Sequence, residues 1–367
     1  MPGIANPPFN RLQAGGAAML ALLLAGCSTP PPVYISERER APAAAGPRTA
    51  APVVTQRMIA ARDAVGKMVA LQDRLYKVAA PLLINNADLC KGQARNLLGF
   101  TAKNKYSYPG EFADAAQAAL GYNEHLQVSG VLSGSGAARA GLRKGDGLVA
   151  ADGKLLPHGP NAETQAAGIL GPLVASRATL TVTIARGGVD QNLSLPVTRA
   201  CAFRVDLGNA DNVNAYADGQ RLMLTRGMIN YAQNDESIAY VMAKEMAHNI
   251  LGHAVTQRSA GTLSGMIENL SDVEPDLSML IGNGGVKAMP QELDAAADTL
   301  ALYLLARGGY GIDNAARFWQ RLANAYPATV LNGYTAIHPA IAYRVGAINK
   351  TVAEIKAKQA GKKPLLP

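Results

Sequence analysis

Histidine is scarce in this chain: five occur in 367 residues, at His125, His158, His248, His253 and His338. A metal centre built from imidazoles therefore has few places to be, and each can be weighed by its position. Cysteine is scarcer, with Cys27, Cys90 and Cys201 the whole supply. Long apolar runs are missing too. The stretch from Ala17 to Leu24 is too short to span a bilayer and prolines follow it, so a retained transmembrane helix is not expected. No motif points to nucleic acid, and the net charge of +8 is read as compatible with lying near an anionic membrane.

Against that background one segment stands out. Lys244-Glu245-Met246-Ala247-His248 has the spacing of the zinc-peptidase helix H-E-x-x-H, with lysine at the first histidine. In the intact motif two histidines four apart fall within about 40° of each other on the helix and aim at one metal, while the glutamate activates a metal-bound water. Here Glu245, the candidate general base, and His248 remain. A lysine near neutral pH offers three donors and no lone pair, so it repels a divalent cation where an imidazole would bind it. His253 comes five residues after His248, roughly 140° around a continuing helix, and is expected to point away from a shared metal.

The surrounding residues resemble metallopeptidase family forty-eight, the gluzincins that include the CAAX prenyl endopeptidase, over roughly 201–350. The resemblance rests on pieces in the family's order: Asn214-Ala215-Tyr216-Ala217-Asp218-Gly219 and Arg221 to Met228; Asn234 to Ala243 leading into the motif; Glu292-Leu293-Asp294-Ala295-Ala296-Ala297-Asp298; and His338-Pro339 with Arg344. It implies a zinc site in which a carboxylate on the third piece is a ligand and the acid four residues later stands behind it. Counting back from Asp298 gives Asp294, an aspartate where the family has glutamate, about 1 Å shorter in reach. His248, Asp294 and His338 are thus the candidate ligands, Lys244 holds the lost position, and Asp298 and His253 stand behind them. His338 serves equally as a helix N-cap before Pro339. Zinc binding is expected to be weak or absent, with the Lys244 ammonium standing where the metal would and pairing with Glu245 or Asp294.

At the amino terminus, Leu24-Ala25-Gly26-Cys27 resembles a bacterial lipoprotein signal cleaved before the cysteine. Ser28 is not the aspartate that retains such proteins at the inner membrane, so the resemblance implies a lipid on Cys27 and the periplasmic side of the outer membrane. That leaves Cys90 and Cys201 in an oxidising compartment, where a disulfide is expected, with two buried thiols the other reading. A Pro- and Ala-rich stretch after Cys27 reads as a tether and Lys356 to Lys363 as a basic tail.

Between Phe100 and Thr198 the sequence changes character. Leu126 to Leu132, Ser135-Gly136-Ala137-Ala138-Arg139-Ala140-Gly141-Leu142, Gly145-Asp146 and Asp152-Gly153 resemble a PDZ domain of the bacterial protease type. Thr164 to Leu173 is its expected groove helix, Leu180 to Arg186 with Leu193 to Val197 its closing hairpin, and Leu120-Gly121-Tyr122 its expected carboxylate loop. The implied ligand is an extended or unfolded polypeptide or a protein C-terminus, the chain's own tail included, with a purely structural spacer as the other reading. His125 and His158 read as loop residues.

The expected organisation is an α+β protein: signal 1–26, tether 27–55, a first helical part 56–104, an inserted PDZ domain 105–200, a mainly helical metallopeptidase-like core with a small sheet 201–350, and a tail 351–367. Three functions are compatible with it: an envelope quality-control or assembly factor with a degenerate peptidase site, a working zinc endopeptidase, or a PDZ-mediated scaffold.

Overall fold

The computed structural model describes residues 54–253, 288–329 and 332–367. Residues 1–26, Cys27 and most of the tether lie outside them. Helix α1, Gln56–Ile84, starts where the Thr55 hydroxyl accepts from the Met58 amide at 3.2 Å. Its buried face carries Ala61, Val65, Leu75 and Val78. The helix covers only the first part of the expected helical stretch and stops at Ile84. The Asn85-Asn86 pair favours a turn here. Asn86 donates its side-chain amide to the carbonyls of Leu82 and Leu304, at 2.9 and 3.0 Å, and so draws the chain off the helix axis.

Strand β1, Ala94–Leu97, follows and pairs with β8, Thr198–Cys201, in an antiparallel ladder. Everything between those strands leaves the body and returns to it. Cys90 and Cys201 form a disulfide at this neck, with Cα atoms 5.6 Å apart, which joins the two ends of the insertion.

Within the insertion, β2 (Phe100–Lys103), β3 (Gln127–Val131), β4 (Gly147–Ala151), β6 (Thr179–Arg186) and β7 (Val189–Pro196) form a sheet in the order β2-β3-β4-β6-β7, and β5 (Lys154–Leu155) pairs with β4. Inward residues Leu126, Val128, Leu148, Leu180, Val182, Ile184 and Leu195 fill one core with α4, Ala162–Ser176. The short α3, Gly136–Arg139, touches β7 so closely that a Cβ on Gly136 would lie 1.7 Å from the Pro196 carbonyl oxygen. This is the PDZ-type module, but its sheet begins at Phe100 rather than after residue 104. The intervening α2, Glu111–Leu120, packs on α1 through Ala115 and Ala116, in a separate small cluster with Ala61, Val65, Tyr108 and Tyr122.

The body carries a second sheet, in which β11 (Arg221–Thr225) lies between antiparallel β10 (Ala215–Ala217) and parallel β9 (Arg204–Gly208). Helices α5 (Arg226–Ala232), α6 (Asp235–Ile250), α7 (Gln291–Arg307), α8 (Ala315–Ala325), α9 (Gly333–Ile337) and α10 (Ile341–Ala360) complete it. The architecture is α+β, as expected.

The tail expected from residue 351 is not free. Helix α10 runs through it with Thr351 and Ile355 buried, Lys358 donates to the Leu366 carbonyl at 2.6 Å, and Arg307 donates to the Leu365 carbonyl at 3.2 Å. These contacts bind the last residues to the body rather than to the groove of the PDZ-type module. Among the described residues no helix is long and apolar enough to cross a membrane.

Candidate metal centre

Helix α6 starts on Asn234, whose side chain accepts from the Ser237 amide at 2.8 Å. Asp235 in its first turn pairs with Arg74 and Lys77 of α1 at 2.8 and 3.0 Å, which fixes the helix against the body. From Ser237 to Asn249 every residue is buried. Lys244 is therefore carried into the core with 0% of its side chain exposed.

The ammonium meets two carboxylates from α7. Nζ lies 2.5 Å from Asp294 Oδ1 and 2.7 Å from Asp298 Oδ1, and donates to the Asp294 carbonyl at 3.0 Å. The expected pairing with Asp294 is present; the pairing with Glu245 is not, and Asp298 stands in its place. Asp294 and Asp298 are four apart on α7, so both face the same neighbour. Arg344 of α10 closes the cluster, donating to Asp298 at 2.8 and 3.1 Å and lying 3.2 Å from Asp294 Oδ2. Two cations thus face two anions in a dry interior, the condition for burying charge.

Burial pushes the Asp294 carboxyl up, but His338, Lys244 and Arg344 outweigh it and hold the group far below its ordinary range. Asp298 is held down in the same way, against its burial, by Arg344 and Lys244. For Lys244, burial and then Arg344 pull the ammonium down, while Asp298 and Asp294 oppose them. Its three N–H donors match three acceptors, which keeps the charged form in place.

With those donors committed, Glu245 Oε1, His248 Nε2 and Asp294 Oδ2 have no hydrogen-bond partner among the described residues. Burial raises the Glu245 carboxyl to about 8 against the pull of Lys244, so near neutral pH the acid form is favoured. Burial likewise lowers His248 to about 3, leaving a neutral imidazole.

His253 does not point away. Helix α6 ends at Ile250, Gly252 takes a left-handed φ of +74°, and the chain turns back so that His253 Nδ1 lies 3.0 Å from His248 Nδ1. The angular estimate assumed a helix that continued. His338 is also at the site: it follows the C-terminal end of α9, and its Nδ1 lies 2.7 Å from Asp294 Oδ1. The N-cap reading is not realised, since α10 begins only at Ile341. Trp319 and Tyr334 had no expected role; their rings stack at 5.5 Å while the Arg344 guanidinium lies 4.7 Å over Trp319. The one signal available was that Trp319 is the only tryptophan in the chain.

The ligand atoms of His248, Asp294 and His338 lie within 4.8 Å of one another, a spacing that suits a metal. The family's zinc nevertheless does not fit the residues as they stand. Asp294 Oδ1, which would have to be a ligand, already faces the ammonium at 2.5 Å, and a dication there would sit against a buried positive charge.

The expected carboxylate loop needs correction. Gly121 caps α2 at φ +72°, and Tyr122 is 3% exposed and stacks on Tyr108 at 6.0 Å, facing α1. Leu120 to Tyr122 therefore build the α1–α2 contact. One edge strand of the sheet is β2, and the chain reaches it through Leu97-Leu98-Gly99-Phe100, where Gly99 has φ +79° and its carbonyl accepts from the Leu132 amide at 2.8 Å and the Ser135 hydroxyl at 3.2 Å. Leu98, Phe100 and Ala102 share an apolar cluster with Ile169, Leu170 and Leu173 of α4. The signal was a leucine-glycine-phenylalanine run opening a strand.

Residues 184–352 match the family model described as Peptidase family M48, so this part of the chain is similar to that family. Two solved structures are similar to the insertion. One is the HtrA3 PDZ domain bound to a phage-derived ligand (FGRWV), 19% identical, with 29% of this chain and 88% of that chain covered and a TM-score of 0.23. The other is the HtrA-type protease AlgW with decapeptide, 27% identical over 29% of this chain, with a TM-score of 0.21; the chain spans 30% of its length. No curated protein matches the chain.

Proposed function

We propose that this chain is a lipid-anchored envelope protein that keeps a family forty-eight scaffold without its zinc chemistry and holds extended polypeptide ends at its PDZ-type module. The observation that carries the reading is the Lys244 ammonium, buried and bonded to Asp294 and Asp298, at the position of a metal-binding histidine. With that cation in place Glu245 has no metal-bound water to activate, and its raised pKa makes it a poor base near neutral pH. The β2 edge beside α4 offers strand addition to an incoming chain. Lipid on Cys27 and the periplasmic side of the outer membrane, with a role in envelope protein quality control or assembly, complete the proposal and rest on the sequence at Leu24 to Cys27. No role with nucleic acid is included.

A second reading, a working endopeptidase, draws on the spacing of His248, Asp294 and His338. One experiment separates the two: zinc content of purified protein together with cleavage of an unfolded substrate by wild type and Glu245→Gln. Protein without zinc and without cleavage supports the first reading. Stoichiometric zinc with cleavage that disappears in Glu245→Gln establishes the second.

A further inference from the structure

Three of the five histidines gather at the Lys244 site; the other two meet elsewhere. His125, just before β3, and His158, just before α4, are directly opposite each other across an isolated antiparallel bridge, backed by the Gly159 amide donating to the Glu124 carbonyl at 2.9 Å. Their ring centroids lie 5.2 Å apart with the planes tilted by 49°. Both residues are exposed, and no hydrogen bond engages either ring nitrogen among the described residues.

Two imidazoles sharing one ion at a metal–nitrogen distance of about 2.1 Å have centroids about 4.5 Å apart at a right angle and about 5.2 Å apart at the tetrahedral angle. The observed separation falls within that range, and the backbone pairing sets the two residues opposite each other. We propose that His125 and His158 form a two-histidine chelate for a late first-row divalent ion, open to water on its remaining positions. Glu124 Oε1 is held by Tyr106 at 2.8 Å and Lys105 at 3.1 Å, and the chelate is argued from the two imidazoles alone. Imidazole donors and an unconstrained outer geometry favour Cu²⁺ over Ni²⁺ and Zn²⁺. A bound ion would tie the start of β3 to the start of α4, the helix that shares an apolar cluster with β2. The site is separate from the Lys244 cluster and does not depend on how that cluster is read.

The test is Cu²⁺ titration of the full chain without an affinity tag, by calorimetry and by electron paramagnetic resonance. Wild type takes one tight equivalent with a two-nitrogen signature. His125→Ala and His158→Ala each weaken it roughly tenfold or more, since losing either imidazole removes the chelate. His248→Ala leaves it unchanged. Equal Cu²⁺ affinity in wild type and His125→Ala, or loss of binding in His248→Ala alone, overturns the proposal. Both histidines are on the surface, so circular dichroism is expected to show the variants folded.

Discussion

Lys244 and Asp298 meet at 2.7 Å with essentially no water contact on either side chain, one from α6 and the other from α7. The pair joins the two helices that would carry a peptidase's metal ligands, and it does so with a cation that belongs to the chain. If this cation does the work of a metal, the core is expected to fold without one, and the consequences can be measured.

Lys244→Met removes the ammonium and keeps the volume, leaving Asp298 to Arg344 and Asp294 to Arg344 and His338. The loss is expected to be about 3–5 kcal/mol, the usual effect of breaking a buried pair from one side. Urea unfolding of the full chain measures it, and a variant as stable as wild type would show that the ammonium does not hold the helices together.

Chelation should distinguish wild type from Lys244→His. Wild type is expected to melt at the same temperature with and without EDTA. Lys244→His is expected to melt lower than wild type in EDTA and to recover on adding zinc, since binding to the folded state alone raises stability. Adding Asp294→Glu should sharpen that response by restoring the reach of the third ligand. EDTA lowering the wild-type melting temperature would contradict the metal-independent core.

The insertion carries an acid-sensitive pair. Burial pushes the Asp146 carboxyl up, but Arg186 and the Arg143 amide outweigh it and hold the group below its ordinary value. A depressed carboxyl contributes stability that is present above its unfolded value, about 3.9, and is lost as pH falls through the folded value beneath it. Asp146→Asn is therefore expected to cost about 1–3 kcal/mol near neutral pH and almost nothing at the acid end of that window. Hydrogen exchange of the β4 and β6 amides across pH checks the sign.

Reduction of Cys90–Cys201 opens a loop closed over a sequence separation of 111. A loss of about 2–4 kcal/mol is expected in Cys90→Ser/Cys201→Ser, chiefly from the freer unfolded chain. The β1–β8 ladder should survive in the folded protein, and persistence of its cross-strand nuclear Overhauser contacts would show that.

A peptide with a free C-terminus is expected to shift the amide resonances of Phe100 to Lys103 and of α4, and to leave Gly121 and Tyr122 unmoved. An amidated peptide should bind more weakly if the loop through Gly99 receives the carboxylate. Shifts centred on Leu120 to Tyr122 would restore the rejected loop.

The motif and its partners were legible because they are local or evenly spaced. Lys244, Glu245 and His248 sit on one helix, and Asp294 and Asp298 stand four apart on another. The insertion was legible from turn glycines and the hairpin pattern. What failed depended on where elements stop. His253 was misplaced because Gly252 ends the helix with a backbone reversal that spacing alone does not encode. The groove loop was misplaced because two leucine–glycine–aromatic runs, at Leu98 and Leu120, look alike, and only strand pairing shows that the first opens the sheet edge. The basic tail was legible from its lysines, but not that Lys358 and Arg307 donate to the backbone carbonyls of Leu366 and Leu365.

The neck at β1 and β8 has a consequence for descent as well as for stability. Its two strands leave the body side by side, and a disulfide with Cα atoms 5.6 Å apart closes the seam beneath them. A chain segment grafted or excised there meets a junction already bridged, so the body need not reorganise to accept it. Substitutions in the body and in the insertion are then expected to act largely independently across that junction.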